Sequence, residues 1–254
     1  MSYIFHLFFY NPLYNGLILL LSWLPRPDVG LAVILFTALV KFILFPISRK
    51  AVKTQMKLRE FEPQLAVLKE KYKDSREKLA QETLALYRAN GVNPFSGIVL
   101  VFLQIPIIFA LYFIFLRGGL PSVDTSLLYP FVQGVFVKIS EPINMLFLGF
   151  FDIGKPHLIL ALLAGASQFV QVQLSLPKVA KVENPSFKDD MARSMNVQMR
   201  YILPVFITII ALKISGAVAL YWITGNLFTI GQELYIKRTL KKEKGGIIVP
   251  ASKV

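Results

Sequence analysis

Cysteine is absent from this chain of 254 residues. That absence excludes a disulfide-stabilised secreted domain, a cysteine zinc site, an iron–sulfur cluster, a thiol nucleophile and an acylated lipoprotein anchor. Histidine occurs only at His6 and His157, which lie far apart and lack metal-ligand spacing. The chain also contains no phosphate-binding loop, dinucleotide fingerprint or hydrolase motif. The sequence therefore predicts no enzyme, no catalytic residue and no bound metal or cofactor.

Charge is scarce and unevenly spread. Charged residues make up 17% of the chain, against about 25% in an average soluble protein. Hydrophobic residues make up 55%, mean hydropathy is +0.56 and the formal net charge is +13. This hydrophobicity excludes a disordered protein. We interpret residues 1–254 as one membrane domain, for which the useful unit is the apolar span of about 20 residues.

Long apolar runs predict an all-α, polytopic membrane protein with a core of five transmembrane helices. Each spanning helix satisfies its own backbone hydrogen bonds, as a bilayer demands. A tight turn at Lys213–Gly216 divides the last apolar stretch, which is too long for one span. The predicted spans are 30–48, 95–116, 157–176, 199–213 and 216–234.

The first 29 residues form a separate case. No Lys or Arg precedes their apolar run and no small-residue cleavage site follows it, so they make a poor signal peptide. Asn11, Pro12, Asn15 and Gly16 interrupt the run. We predict an amphipathic helix lying in the outer interface. A sixth span is the alternative.

The connections between spans differ in charge. Residues 49–94 carry 11 basic and 6 acidic side chains, and 237–254 carry 6 and 1, whereas 117–157 carry 3 and 3. Excess Lys and Arg marks cytoplasmic loops. The hairpin region and the C-terminus are therefore predicted to be cytoplasmic, with 117–157 outside.

The connection at 49–93 is rich in helix-forming residues. The run from Asp74 to Glu77 predicts an N-cap at Asp74 with a carboxylate at N3, a variant of the capping box. Pro63 predicts a kink in the first arm, and Gly91 with Pro94 predicts the end of the second. These signals indicate a cytoplasmic helical hairpin over 49–93.

A charge inside a predicted span is a functional hypothesis in itself. Lys41 is such a charge, and Thr37 lies one turn earlier on the same face. Gln104 is central in the second span, Gln168 and Gln171 lie in the third, and Trp222 lies in the fifth. Lys41 could instead extend its long side chain to the interface, and each Gln could simply join helices. We favour a wet polar cavity open to the cytoplasm.

Several motifs together resemble the YidC/Oxa1/Alb3 family of membrane protein insertases. They run in order along the chain as NPLYN from Asn11, TALVKFILFP from Thr37, YRANGVNP from Tyr87, LQIPI from Leu103, the segment from Asn144 to Asp152, and LYWITGN from Leu220. The resemblance implies a five-helix core with a cytoplasmic hairpin between helices one and two. It also implies insertion of nascent proteins into the bilayer without nucleotide hydrolysis.

The resemblance implies further details of the site and its partners. A substrate groove would comprise Lys41, Thr37, Gln104, Gln168, Gln171 and Trp222, with Gln171 favoured over Gln168. The family usually has Arg at the position of Lys41, so a point charge is expected here without the bidentate guanidinium. Implied partners are nascent membrane proteins, membrane lipids, a ribosome at the hairpin and the basic tail 237–254, and the Sec translocon and signal recognition particle machinery. DNA is not among them, and the implied location is the bacterial cytoplasmic membrane.

Two rival functions share many of these features. A small-molecule or ion transporter would also use an intramembrane charge and broken helices. The chain shows no internal repeat, and a long basic hairpin serves no transport step. A passive assembly chaperone would share every feature, so only an insertion assay separates it.

Overall fold

The computed structural model describes residues 3–93, 96–117, 120–137, 143–176 and 193–245. Helices dominate these ranges, which confirms the all-α prediction. We number them α1 (Tyr3–Trp23), α2 (Val29–Ile43), α3 (Phe45–Glu60), α4 (Glu62–Lys71), α5 (Arg76–Ala89), α6 (Ser96–Arg117), α7 (Pro130–Phe136), α8 (Leu158–Ser175), α9 (Arg193–Ala211) and α10 (Gly216–Gly245). One antiparallel pair, β1 (Leu146–Phe147) and β2 (Phe151–Asp152), is the sheet within the described ranges.

The chain divides into two compact units. The first, which we call the core unit, comprises residues 1–43 and 104–230. The second, the hairpin unit, comprises 44–103 and 231–254. The predicted single membrane domain thus has two clusters of contacts, and the helices α6 and α10 each contribute residues to both.

Among the described residues, three helices are long and apolar enough to cross a membrane: α1, α8 and α9. A fourth span results if α2 and α3 are counted together across their break. By sequence α6 is uncharged and largely apolar from Gly97 to Leu116, and its segment Gln104–Phe115 is one of the shorter apolar helices. The described residues therefore support a membrane protein, and the number of five spans stays a prediction.

The predicted first span, 30–48, is broken in the structure. α2 ends at Ile43 and α3 begins at Phe45, with a turn at Leu44. Pro46 explains the break, because it lacks an N–H and its ring clashes with the carbonyl of Phe42, four residues earlier. Lys41 consequently lies in the last turn of α2 rather than inside a longer helix.

The predicted turn before the fifth span is confirmed. α9 ends at Ala211 and α10 begins at Gly216. α10 then runs well past the predicted boundary at residue 234 and carries the first part of the basic tail as helix.

Small residues set the packing of α8 against α9. A Cβ added at Gly165 would lie 1.8 Å from the Thr208 Oγ1 and 3.1 Å from the Pro204 carbonyl oxygen. The two helices can approach this closely only because Gly165 has no side chain. Ahead of Pro204, residues Gln198–Ile202 form a π-helical turn.

α1 is tied to the connection after α6. The Tyr14 hydroxyl accepts a hydrogen bond from the Asp124 backbone N–H at 2.8 Å. The buried Asn15 amide donates to the Leu127 carbonyl at 2.9 Å and accepts from the Tyr129 N–H at 2.6 Å. Both polar atoms of a buried side chain are thereby satisfied, which fixes α1 to this loop.

In the hairpin unit, local capping marks the ends of α5. The Ser75 hydroxyl accepts a hydrogen bond from the Lys78 N–H, so the N-cap is Ser75, one residue after the predicted Asp74. At the other end Gly91 has a φ of 61°, and the Gly91 and Val92 N–H groups bond back to the Arg88 and Tyr87 carbonyls. This is a Schellman cap, for which a glycine at positive φ is favoured.

The first arm of the hairpin is interrupted as Pro63 predicts. α3 ends at Glu60 and α4 starts at Glu62, with Pro63 in its first turn. α4 and α5 contact each other across the short connection between Lys71 and Arg76. Partial burial in this hairpin raises the pKa of Tyr87, an effect that Lys69 opposes. The predicted helical hairpin is therefore present as α3, α4 and α5.

Candidate functional site

Lys41 contacts the last helix of the core unit. Its ammonium group donates a hydrogen bond to the Thr229 Oγ1 at 3.2 Å. Gly225, one turn earlier in α10, lies beside the lysine side chain, since a Cβ there would be at van der Waals distance, 3.4 Å from the Lys41 Cε and 3.9 Å from its Nζ. The predicted intramembrane charge is thus held against a threonine and a glycine of α10.

Thr37 lies beside Lys41 on the same face of α2. Its side chain is 1% exposed, and its hydroxyl donates to the Val33 carbonyl at 2.6 Å. The Thr37 Cγ2 would be 3.9 Å from a Cβ at Gly225. Because the hydroxyl is satisfied within α2, Thr37 presents its methyl group to α10.

Gln104 contacts α10 at Tyr221, one turn before Gly225. Its amide Nε2 donates a hydrogen bond to the Tyr221 hydroxyl, and Tyr221 is buried. An interhelical bond of this kind satisfies two polar groups that would otherwise be costly inside an apolar helix bundle. The pair links α6 to α10.

The predicted glutamines of α8 form a line along their own helix. The Gln168 amide donates to the Gln171 Oε1 at 3.3 Å, and the Gln171 amide donates to the Ser175 hydroxyl at 2.8 Å. The contact from this helix to α10 comes instead from the neighbouring Ser167, whose Oγ accepts from the Asn226 amide at 3.1 Å.

α10 contacts each of the other helices that contribute to the site. At 3.6 residues per turn, Tyr221, Gly225, Thr229, Trp222 and Asn226 occupy an arc of about 140° on one side of this helix. One edge of the arc meets Gln104, the middle meets Lys41, and the other edge meets Ser167. Trp222 lies between the last two and is 9% exposed.

The structure therefore brings together four of the six predicted groove residues around α10: Lys41, Thr37, Gln104 and Trp222. Gln168 and Gln171 lie on α8, the helix whose Ser167 accepts the hydrogen bond from Asn226. This arrangement can donate hydrogen bonds and hold one positive charge. The described ranges contain no cluster of three or more His, Cys, Asp or Glu side chains that could hold a metal ion.

Sequence reasoning missed three residues that position this site. Tyr221 and Gly225 appeared only within the resembling motif, and Thr229 was not singled out. Their spacing was the available signal, because residues 221, 225 and 229 recur every four positions and so share one helix face.

The basic tail is only partly described. In the hairpin unit Lys237 forms an ion pair at 2.6 Å with the buried Glu233, one turn earlier in α10. The charge of this lysine is therefore paired within its own helix. Arg238 is exposed. α10 continues to Gly245, and positions 246–254 lie outside the described residues.

Matches to known proteins extend over most of the chain. The family model described as "60Kd inner membrane protein" matches residues 21–244. The chain is 31% identical over 218 residues to a membrane protein insertase YidC of Clostridium tetani, a match that spans 86% of each chain. It is 32% identical over 221 residues to the YidC of Oceanobacillus iheyensis, covering 85% of this chain and 77% of the relative.

A third relative carries a different name. The chain is 31% identical over 229 residues to the membrane protein insertase MisCA of Bacillus subtilis, covering 88% of this chain and 76% of the relative. The range matched by the family model, 21–244, contains the site helices α2, α6 and α8 and all but the last residue of α10.

Proposed function

The chain belongs to the 60Kd inner membrane protein family of YidC/Oxa1 type, and from this premise we propose that it is a membrane protein insertase. It would insert nascent membrane proteins and help them fold, without nucleotide hydrolysis. The observation that carries the proposal is the polar arc of α10 within a set of apolar helices.

The physical task of an insertase is to lower a desolvation barrier. A polar segment that crosses a bilayer loses water from each of its polar groups, at a cost of about 1–3 kcal/mol per group by protein mutational data. A groove lined by Lys41, Gln104, Thr229 and the glutamines of α8 would offer replacement hydrogen bonds. The apolar part of the substrate would then enter lipid, and its burial supplies the free energy.

Lys41 gives this groove a preference for one charge. Two opposite unit charges about 4 Å apart attract by about 4 kcal/mol at the effective dielectric near a protein surface. Lys41 would therefore draw acidic residues of the translocated segment. Its bond to Thr229 is a neutral hydroxyl contact, which an incoming carboxylate can replace.

Orientation and interfacial placement are part of the proposal. We place the hairpin unit and the C-terminus in the cytoplasm of a bacterial cell, with five spans in the cytoplasmic membrane. α1 would lie in the outer interface, because Tyr14 and Asn15 bind the loop at 124–129, which follows the outer end of α6.

The proposed partners follow from charge and from the family. The exposed hairpin helices and the basic tail 237–254 would hold ribosomal RNA phosphates or anionic lipid. We further propose that the Sec translocon and the signal recognition particle machinery deliver substrates to the groove.

The proposed function is tested by substitution at Lys41. Purified variants in lipid vesicles would receive two single-span substrates that differ only in an acidic or a neutral translocated segment, with protease protection as the measure of insertion. Lys41→Arg should retain insertion because the charge survives. Lys41→Met should insert the acidic substrate about 5–30-fold less well, the factor for a loss of one to two kcal/mol. Lys41→Glu should be worse still.

Lys213→Met is the matched control, since Lys213 is an exposed lysine of the core unit in the turn before α10. It should insert both substrates normally. Wild-type insertion of the acidic substrate by Lys41→Met would disprove the charge mechanism. Failure of the wild-type protein to insert either substrate would disprove insertase activity itself.

A further inference from the structure

The connection between α7 and α8 contains an apolar β-hairpin with an exposed tip. β1 and β2 pair Leu146 with Asp152 and Phe147 with Phe151. Between them, Leu148 and Gly149 both have positive φ, at 55° and 81°. A positive φ is uncommon for a residue with a Cβ, so the turn holds Leu148 at the tip in an unfavourable conformation.

The base of this hairpin is fixed to the ends of two core helices. The Val29 N–H at the start of α2 donates to the Asn144 carbonyl at 3.0 Å. The Phe147 ring packs on Gly30, where an added Cβ would lie 2.4 Å from the ring. On the other side, the Ile153 carbonyl accepts from the Ser215 hydroxyl at 2.6 Å.

These contacts place the hairpin at one end of the core unit. α2 and α10 both begin there, and α8 begins at Leu158, shortly after β2. Since these helices are apolar and belong to a membrane protein, the edge of the hydrocarbon layer runs close to their first turns. The first turn of α8 agrees with this position, because Leu158 and Ile159 are exposed.

The tip has no polar character. Residues 143–151 contain no charged side chain. Leu148 is 63% exposed, Phe150 65% and Leu146 45%. On the C-terminal side of the hairpin, Asp152 and Lys155 at the base pair at 2.9 Å, and this bond lowers the pKa of Asp152. The hairpin is thus polar at its base and apolar at its tip.

We propose that the hairpin 146–152 is an interfacial lipid anchor, in which Leu148 and Phe150 insert into the outer leaflet. An aromatic ring and an aliphatic side chain at the level of the helix ends suit the boundary between headgroups and acyl chains. The rigid base transmits this position to α2 and α10, the two helices that hold Lys41. The proposal goes beyond the insertase function and does not depend on insertion activity, although the choice of the outer leaflet rests on the orientation proposed above.

The chain without cysteine provides the test. Leu148→Cys and Phe150→Cys would each carry an environment-sensitive fluorophore, in the full-length protein reconstituted into phosphatidylcholine and phosphatidylglycerol vesicles. Lipids with a nitroxide near the top of the acyl chain should quench both labels, and iodide in the water should not. Ser122→Cys, an exposed position in the preceding connection, is the control and should show the opposite pattern.

Two results would overturn the proposal. Quenching of the Leu148 and Phe150 labels by iodide as strongly as the Ser122 label would place the tip in water. Protection of both labels from iodide and from lipid nitroxide would show that protein covers the tip, in the form of a partner or a second copy. Because each tip position is tested separately, disturbance by one label does not decide the outcome.

Discussion

The core unit and the hairpin unit are both helical, yet different forces stabilise them. In the core unit, buried side chains such as Tyr14 and Asn15 reach across to other elements, and Gly165 lets two helices touch. In the hairpin unit, α4 has no buried residue, and α5 is defined by Ser75 at one end and Gly91 at the other. The stability of the core unit therefore depends on contacts between helices, whereas that of the hairpin unit depends on caps and other local interactions within each helix.

This difference in stabilising forces follows from the surroundings of each unit, lipid for the core helices and water for the hairpin. In lipid, helices gain little from burying apolar surface, so close packing and interhelical hydrogen bonds hold them together. In water, an exposed helix is held by its caps, its charges and one partly apolar face. A substitution in the core should accordingly act on the whole unit, and one in the hairpin should act locally.

The largest expected contrast is in accessibility from the two sides of the membrane. Single cysteines at Ser122 in the core unit and Ser75 in the hairpin unit would be labelled by an impermeant maleimide in intact cells. Ser122→Cys should label at once, and Ser75→Cys only after permeabilisation, because basic connections stay in the cytoplasm. Ser252, which lies outside the described residues, should behave like Ser75. The reverse pattern would overturn the proposed orientation.

The next largest effect is expected at the tightest helix contact. Gly165→Leu would push α8 away from Thr208 and Pro204 of α9, and overpacking of this kind costs about 1–3 kcal/mol or more. Thermal unfolding in detergent should show a lower midpoint and less folded protein. Gly134→Ala is the control, because nothing lies within 4 Å of a Cβ there. Equal stability of both variants would contradict the packing argument.

A smaller, local contrast should appear in hydrogen exchange. Amide protons over residues 55–90 should exchange faster than those of α8 and α10, because elements with few buried contacts open at low free energy. Mass spectrometry of the reconstituted protein measures both regions in one sample. Protection of the hairpin equal to that of the core helices would contradict the idea of a loosely held arm.

The smallest effect concerns the cap of α5. Ser75→Ala removes the side-chain acceptor for the Lys78 N–H and should destabilise this helix by about 1 kcal/mol. Exchange should rise in the first turn of α5, and the thermal midpoint of the core should stay unchanged. Ser75→Asp keeps an acceptor and serves as the matched control. A drop in the core midpoint with Ser75→Ala would show that the two units are not independent in stability.

Hydropathy and local signals predicted much of the fold. The Lys213–Gly216 turn and the helical hairpin both follow from residues near one another in the chain. Such features depend on composition over one or two turns, which the sequence displays directly. The break at Leu44 was missed, although Pro46 is a local signal, because the apolar run continues through it.

The candidate site was predictable by residue type but not by pairing. A lysine and several glutamines inside apolar spans indicate a polar cavity, and four of the six predicted residues do meet around α10. That Gln104 bonds to Tyr221, and that Ser167 rather than Gln168 reaches Asn226, depends on how the helices are rotated.

By itself, the sequence of this protein determined its membrane character, its helical content and the presence of a charge at Lys41, because hydrophobicity and helix signals act over short stretches of chain. Only the tertiary structure decided the partners of that charge. Lys41 and Thr229 are separated by most of the chain, and their contact depends on how α2 packs against α10 beside Gly225. The period of a helix tells which residues share a face, whereas the packing of several helices decides what that face meets.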